Sequence, residues 1–215
     1  MCLRHAYFVL LLFLTTQGCV STQVSSITDP AFTSVAFQDV FVYANTNYLD
    51  WRTEIEEELV RDISTKTDAT AIKSLELVTP THQYTGQEVA GLIYASRVDS
   101  VLWINILVIG THPETTCIRE YQEVFTSCYE EGARHASINA FLLSAKDVDG
   151  AGYDFMLANR LVGQSEAFSQ TGVVWTSTVE SYGRDSIASY GKIRERISSK
   201  LVGALITDGM LEKQE

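Results

Sequence analysis

The sequence contains little proline, few basic residues and, after its first 18 residues, no long apolar run. Three prolines and 46% hydrophobic residues in 215 argue against a disordered chain. Sixteen basic residues stand against 27 acidic ones, for a net charge of −11. Nucleic-acid binding needs a basic face, so this balance argues against a nucleic-acid partner. The longest later apolar run, residues 101–109, has the length of a strand and predicts no membrane span.

The start of the chain has the pattern of a secretory signal, in which Arg4 precedes nine apolar residues at 6–14. The stretch that follows, FLTTQGCVST at 13–22, resembles a bacterial lipoprotein signal. The resemblance implies cleavage before Cys19 and a diacylglycerol on its thiol. The alternative is an ordinary cleaved signal with Cys19 as an incidental thiol. Val20 and Ser21 stand where inner-membrane retention would place an aspartate, so the resemblance implies the outer membrane, facing the periplasm.

Four segments are predicted along the chain. Residues 1–18 form the removed signal, and residues 19–32 form the lipidated cysteine and a short Ser/Thr-rich tether. Residues 33–210 are long enough for a single domain with its own core. Residues 211–215 are predicted to be a disordered tail.

Two cysteines remain once the signal and its lipid are set aside, Cys117 and Cys128. In an oxidising compartment, a disulfide that closes a loop of ten residues is the simplest interpretation. The alternative is a zinc site, because His112 and His135 flank the pair. The intervening spacings of four, ten and six residues match no standard zinc module, so we expect the disulfide and no metal.

Strands and helices are predicted to alternate in the first half of the domain. A β-branched and aromatic strand at 34–43 precedes a helix at 51–65, which Asp50 is expected to cap. A short strand at 71–77 is followed by a second helix, whose Thr85 and Glu88 form a capping box. The run VLWINILVIG is typical of a central strand with both faces covered.

The second half is predicted to be richer in strands. Candidate strands lie around 123–129, 136–145, 156–168 and 173–181, and a last helix follows Asp185 and ends at Gly209. Together the elements predict an α/β (α+β) fold, in which a mixed sheet of about five to six strands packs against three main helices.

Several phrases resemble the amino-terminal domain shared by the periplasmic TolB protein and a group of small lipoproteins. These phrases are DWRTEIEEELVRDI, the P-T loop in LELVTPTHQYT, the strand VDSVL at 98–102, and TGVVWTSTVES around Trp175. The resemblance covers residues 33–210 and implies the mixed sheet just described. Members include lipoproteins of exopolysaccharide and curli export and activators of penicillin-binding proteins. The resemblance therefore implies a non-catalytic domain that docks to partner proteins or forms rings on a membrane.

The candidate site residues are few. Ser165 lies in GQSEA, where a serine-hydrolase elbow would need a second glycine, and no glycine-rich phosphate loop is present. We therefore expect no catalytic residue, no enzyme activity and no cofactor. Trp103 and Trp175 fall in strands and are expected in the sheet core. Trp51, in the first turn of a helix, is expected to be partly exposed and is the candidate partner contact.

Two functional hypotheses follow. In the first, the lipid holds a scaffold or assembly subunit at the membrane, where it pairs with itself or with an envelope or export complex. In the second, the domain is a monomeric adaptor or ligand-binding module that recruits one partner, for example a cell-wall enzyme. The tether is predicted to be short, which favours a role close to the membrane.

Overall fold

A computed structural model describes residues 20–119, 126–145, 173–184 and 189–214, apart from the single positions 34, 47, 80 and 83. For residues 112–119 and 126–131 it describes the backbone alone. The predicted strand at 156–168, Ser165 and Cys19 lie outside the described residues.

The described strands form a six-stranded mixed sheet at the centre of the fold, with the order β1-β6-β5-β4-β2-β3. The first four strands in that order are antiparallel to their neighbours, whereas β4, β2 and β3 run parallel. This arrangement confirms the predicted α/β class and the mixed sheet. The strands are β1 (Ser21–Thr28), β2 (Asp39–Asn45), β3 (Thr70–Lys73), β4 (Ser100–Arg119), β5 (Thr126–Ser144) and β6 (Val173–Arg184).

Among the described residues, four helices pack on the two faces of the sheet: α1 (Leu49–Lys66), α2 (Ser74–Leu77), α3 (Gly86–Ala95) and α4 (Tyr190–Thr207). The alternation along β2 separates the two faces. Val40 and Val42 join a core with α1 and α4, whereas Phe41 and Tyr43 join a second core with α3. Sheet residues are therefore buried on both sides, which explains the nearly continuous apolar run of β4.

Local signals in the sequence located the helix ends well in two cases. Thr85 and Glu88 form the predicted capping box of α3, with hydrogen bonds in both directions. Gly209 has a φ of +75° just after α4, a conformation that favours glycine, so its predicted role as a stop is confirmed. Asp50 is not the cap of α1. The helix begins at Leu49, so Asp50 lies inside its first turn.

The tether predicted at 19–32 is largely a strand, since Ser21–Thr28 pairs antiparallel with β6 along its whole length. Every second residue of β1 is partly covered, and Val24 packs against the core beneath α4. Ser26 also donates a hydrogen bond to the Asp208 carboxylate, at 2.6 Å. Serine and threonine suit a strand when a neighbouring edge satisfies their backbone groups, and the sequence did not reveal that edge.

The structure describes residues 211–214, and these residues do not form the disordered tail predicted at 211–215. Leu211 is buried in the core, and the backbone of 212–214 hydrogen-bonds to residues 66–68 at the end of α1. These polar tail residues are ordered because their backbone groups find partners in the turn after α1.

The two strands predicted around 123–129 and 136–145 are one strand, β5, which is 19 residues long. Its partner β4 has 20 residues and continues past Pro113, well beyond the predicted apolar run. The residues between the two predicted strands, 130–135, are mostly polar. They remain extended because β4 pairs with them residue by residue.

Candidate interaction surface

The longest pair of strands, β4 and β5, extends beyond the rest of the sheet. β2 pairs with β4 only as far as Asn105, and β6 pairs with β5 only from Ala133 onward. Seven further pairs, from Pro113↔Gly132 to Arg119↔Thr126, have no third strand among the described residues. We call residues 113–119 and 126–132 the ribbon. At about 3.3 Å per residue the ribbon is about 23 Å long.

Two local features lie where β4 loses its neighbour β2 and where the ribbon begins. Leu107 is an extra residue in β4, because Ile106 pairs with Ile138 and Val108 pairs with Ser137. Such a bulge bends and twists a strand, and it lies just beyond the point where β2 stops. Pro113 has no N–H to donate, so it is tolerated where a strand has a free edge.

Exposed apolar side chains lie by topology around the end of β2, on the part of β4 that precedes the ribbon. Tyr48 and Leu49 follow the end of β2, which pairs at Asn45 with Asn105, and Leu107 and Val108 lie two and three residues after Asn105. We call these four residues the apolar corner. Their exposed fractions are 66%, 50%, 50% and 41%, respectively. Apolar side chains exposed together are a common mark of an interaction site.

Trp51 is not the exposed contact that the sequence predicted. The side chain is only 8% exposed, and its ring meets Tyr190 edge-on, with ring centroids 5.8 Å apart. The guanidinium of Arg194 lies 5.0 Å from its ring centroid and also pairs with Glu54. Helix α4 therefore covers the first turn of α1, a contact that α1 alone could not reveal. Trp103 and Trp175 are buried in the sheet core, as expected.

The register places Cys117 directly opposite Cys128 in the ribbon. Directly opposed residues of antiparallel strands have Cα atoms about 4.5–5.5 Å apart, within the span that a disulfide bridges. The bond itself stays a prediction. A two-stranded ribbon is marginal in water without further support, so this is a position where a covalent link has a structural use.

A buried polar cluster that was not predicted from the sequence surrounds Glu56, which is completely inaccessible to solvent. Its carboxylate accepts hydrogen bonds from the backbone N–H of Ala44 at 2.9 Å and the hydroxyl of Ser74 at 2.6 Å. Arg52, one turn earlier, donates to it at 3.1 Å. The i, i+4 spacing of Arg52 and Glu56 was the available signal in the sequence, and no prediction was drawn from it. The cluster joins β2, α1 and α2 and has the satisfied geometry of a structural network.

Tyr43 extends this cluster to the other face of the sheet. The guanidinium of Arg52 lies 4.9 Å from its ring centroid, and the ring of Trp103 lies 5.1 Å away. Burial raises the pKa of the Tyr43 hydroxyl, and the nearby Arg52 charge opposes part of that rise. The pKa shift thus follows from packing against the core.

A separate cavity of about 530 Å³ lies between β1, β6 and β5. Its lining is mostly apolar, and Ile27 on its rim is highly exposed. This volume falls within the usual range of small-molecule pockets. The lining residues are Ile27, Thr28, Asp29, Pro30, Phe141, Val173, Val174, Trp175 and Thr176.

Two further observations concern the part of the chain that the structure describes. No helix there is both long and apolar enough to cross a membrane. No three histidine, cysteine, aspartate or glutamate side chains gather there as a metal site would require. His82 lies at the surface with its ring edge-on to Tyr84, and the ring of His135 stacks on Tyr182 at 4.3 Å.

Comparison with known proteins gives matches in structure but not in sequence. No protein-family model matches the chain, and no curated protein matches it. The PelC dodecamer from Paraburkholderia phytofirmans aligns with 86% of this chain and 97% of its own, at 12% identity and a TM-score of 0.48.

Two lipoproteins are similar at a lower level. Lipoprotein GNA1162 from Neisseria meningitidis aligns with 79% of this chain and 96% of its own, at 11% identity and a TM-score of 0.38. A minor lipoprotein from Acinetobacter baumannii aligns with 82% and 98%, at 8% identity and a TM-score of 0.32. The likeness concerns the general arrangement of the fold, and we take no functional conclusion from it.

Proposed function

We propose that this chain is a non-catalytic lipoprotein, held by a lipid on Cys19 to the periplasmic face of a bacterial outer membrane. There it acts as a scaffold or accessory subunit of an envelope or export complex. Its docking surface is the ribbon together with the apolar corner.

The ribbon is the observation that carries this proposal. It extends about 23 Å beyond the sheet, and no third described strand pairs with it. Open strand edges are templates for pairing, and proteins usually cover or shorten them. A long open ribbon, together with exposed apolar side chains on the part of β4 that precedes it, is costly unless another protein covers them. The polar clusters around Glu56 and Asp208, by contrast, hold elements of the fold together.

The position of β1 relates the docking surface to the proposed anchor. Ser21, Tyr182, His135 and Gly110 form one row across the sheet, and the ribbon leaves the fold just beyond this row. Cys19 precedes Ser21 by two residues, a reach of about 7 Å. A lipid at Cys19 would therefore hold the ribbon end of the domain next to the membrane. There the ribbon could contact other envelope proteins without a long tether.

Native mass spectrometry of the full chain, extracted from bacterial membranes in mild detergent, tests the proposal. We expect a lipid-modified chain beginning at Cys19 that travels in an assembly, with itself or with another protein. Leu107→Asp should dissociate that assembly by placing a charge in the apolar corner. Tyr94→Asp, a matched change at an exposed residue of α3, should leave it intact. An unmodified chain, or an assembly indifferent to Leu107→Asp, would contradict the proposal.

The cavity beside β1 favours the second hypothesis, a monomeric ligand-binding module. Its size and apolar lining suit a small apolar ligand. In that case the protein should remain a lipidated monomer. Ile27→Asp, rather than Leu107→Asp, should abolish binding of the ligand. The same two variants therefore separate the two hypotheses.

A further inference from the structure

We infer that the outer edge of β1 is a second docking site, where an extended, uncharged segment of another protein adds to the sheet as a further strand. The site goes beyond the proposed function, because the ribbon, the apolar corner and the lipid at Cys19 play no part in it. Three observations carry it: an unprotected strand edge, side chains that hold this edge in place, and an apolar cavity beside it.

The two edges of the sheet differ in how they are protected. At one edge, β3 has only four residues and ends in a lysine, Lys73. At the other edge, β1 has eight residues, and all eight pair with β6 without a bulge. Its sequence, STQVSSIT, contains no charged residue, no proline and no glycine. Proteins usually protect an edge strand by shortening it or by such residues and bulges, so β1 is an unprotected edge.

The backbone of β1 provides hydrogen-bonding groups on its outer side. In an antiparallel pair, residues that bond to the neighbouring strand alternate with residues that direct their N–H and C=O groups away from it. About half of the eight residues of β1 therefore direct these groups away from β6, and no described strand lies on that side. A docked strand would satisfy these groups, as in recognition by β-strand addition.

Side chains on the face of β1 that points towards α4 hold the strand in place. The hydroxyl of Thr22 hydrogen-bonds to that of Ser181 at 2.8 Å, and Val24 packs against the core. Ser26 donates its hydroxyl proton to the Asp208 carboxylate. An edge that is already fixed loses little conformational freedom when a strand is added, and this favours binding.

The other face of β1 provides an apolar position. Ile27 is 71% exposed and lies on the rim of the cavity between β1, β6 and β5. Residues that are directly opposed on neighbouring strands share a face, with Cβ atoms about 4.5–5.5 Å apart. An apolar side chain docked opposite Ile27 would therefore cover it and lie beside the cavity. The remaining side chains on this face of β1 are Ser21, Gln23 and Ser25, which offer no ion pair to a charged segment.

A second copy of β1 fits this edge less well. If two copies paired antiparallel with Ser25 opposite its equivalent, Ile27 would face the polar Gln23. Ile27 would face its own equivalent only in a pairing that is limited to residues 26–28, because β1 ends at Thr28. The occupant is therefore a segment of a different protein, which carries its own apolar side chain opposite Ile27.

Photo-crosslinking in living bacteria identifies what occupies the edge. The full-length chain carries benzoylphenylalanine in place of Ser25, an exposed residue of β1, or in place of Ser64, an exposed serine of α1. We expect the position of Ser25, and not that of Ser64, to form an adduct. Mass spectrometry of the adduct should locate the crosslink in an extended, uncharged segment of another protein.

A synthetic peptide with the sequence of that segment then tests the mode of binding to the purified full-length protein. Amide hydrogen exchange in β1 should slow by at least about tenfold at alternate residues only, because the N–H groups between them already bond to β6. Two further peptides are N-methylated at one or the other set of alternate backbone amides. One of them should lose binding and the other should keep it, although their side chains are identical.

Substitutions in β1 test the same contact from the side of this chain. Ser25→Lys places a charge on the edge, and Ile27→Lys removes the apolar position, so each should weaken peptide binding by at least about tenfold. Ser64→Lys is the matched control and should leave binding unchanged. Circular dichroism establishes that each variant is folded.

Four results would overturn the inference. They are the absence of an adduct at Ser25, an equal adduct at Ser64, an adduct with a second copy of this chain, and a peptide that does not slow exchange at alternate residues of β1. An assembly indifferent to Leu107→Asp, or a chain without lipid at Cys19, would contradict the proposed function and leave the docking site on β1 standing.

Discussion

The cluster around Glu56 offers the sharpest test of how this fold is held together. The carboxylate is fully buried and accepts hydrogen bonds from Arg52, Ser74 and two backbone N–H groups, at distances from 2.6 to 3.3 Å. Glu56→Ala would leave all of these donors, including the Arg52 charge, without an acceptor. Removing one member of a buried ion pair costs about 3–5 kcal/mol in free energy of unfolding. A domain of this size has about 5–15 kcal/mol in total.

Glu56→Gln is the more informative variant, because it keeps the shape of the side chain and one of its two oxygens. It removes one acceptor and the negative charge that Arg52 contacts, so we expect a loss of about 2–3 kcal/mol. Arg52→Ala and the double variant with Glu56→Ala should be non-additive, with a coupling of about 0.5–3 kcal/mol. Glu57→Gln is the matched control at the next position, which is exposed, and it should change stability by less than about 0.5 kcal/mol.

Urea unfolding followed by tryptophan fluorescence measures these differences, because all three tryptophans are buried in the folded chain. The slope of unfolding free energy against urea should be the same for each variant, so that a shifted midpoint reports stability. If Glu56→Gln and Glu57→Gln have equal midpoints, the hydrogen-bonded cluster does not stabilise this protein as described.

Three other predictions concern separate parts of the structure. If Cys117 and Cys128 are bonded, the intact protein should resist alkylation until it is reduced. Cys128→Ser should then speed amide exchange in the ribbon, reflecting a loss of about 2–3 kcal/mol from the ten-residue loop. Asp208→Ala removes the acceptor 2.7 Å from the indole N–H of Trp175, so it should lower the unfolding free energy by about 1–3 kcal/mol, and Asp208→Asn by less. Burial raises the pKa of Tyr43 in the folded state, so the stability contributed by its neutral hydroxyl is complete below the pKa of the unfolded chain and is lost as pH rises through the pKa of the folded state. Tyr43→Phe should therefore remove this loss of stability at alkaline pH, as measured by unfolding at several pH values.

Patterns within single elements were enough to predict much of the fold. The capping box of α3 and the apolar residues at every fourth position of α1 are patterns of residues at most four apart, so the sequence displays them directly. The apolar residues are Trp51, Ile55, Leu59 and Ile63. The apolar run of β4 likewise indicated burial on both faces. These signals led to the mixed sheet and its main helices.

Contacts between distant parts of the chain were not visible in the same way. The Ser/Thr-rich stretch of β1 was interpreted as a tether because its partner, β6, lies more than 140 residues away. Trp51 was expected at the surface because nothing near it in sequence indicates that α4 lies above it. The order of the tail likewise depends on backbone hydrogen bonds to the turn after α1.

The sequence by itself determined the class of fold, the signal-like start and the pair of cysteines that remains after it. Only the tertiary structure decided that β4 and β5 extend past the neighbouring strands and that Cys117 faces Cys128 across the ribbon. It also decided that the ribbon begins three residue pairs beyond the row that contains Ser21. The physical reason is that local patterns indicate which residues are apolar enough to be buried and which residues can cap a helix. Where a strand loses its neighbour, or which edge accepts a polar stretch, is set by pairing between segments far apart in the chain.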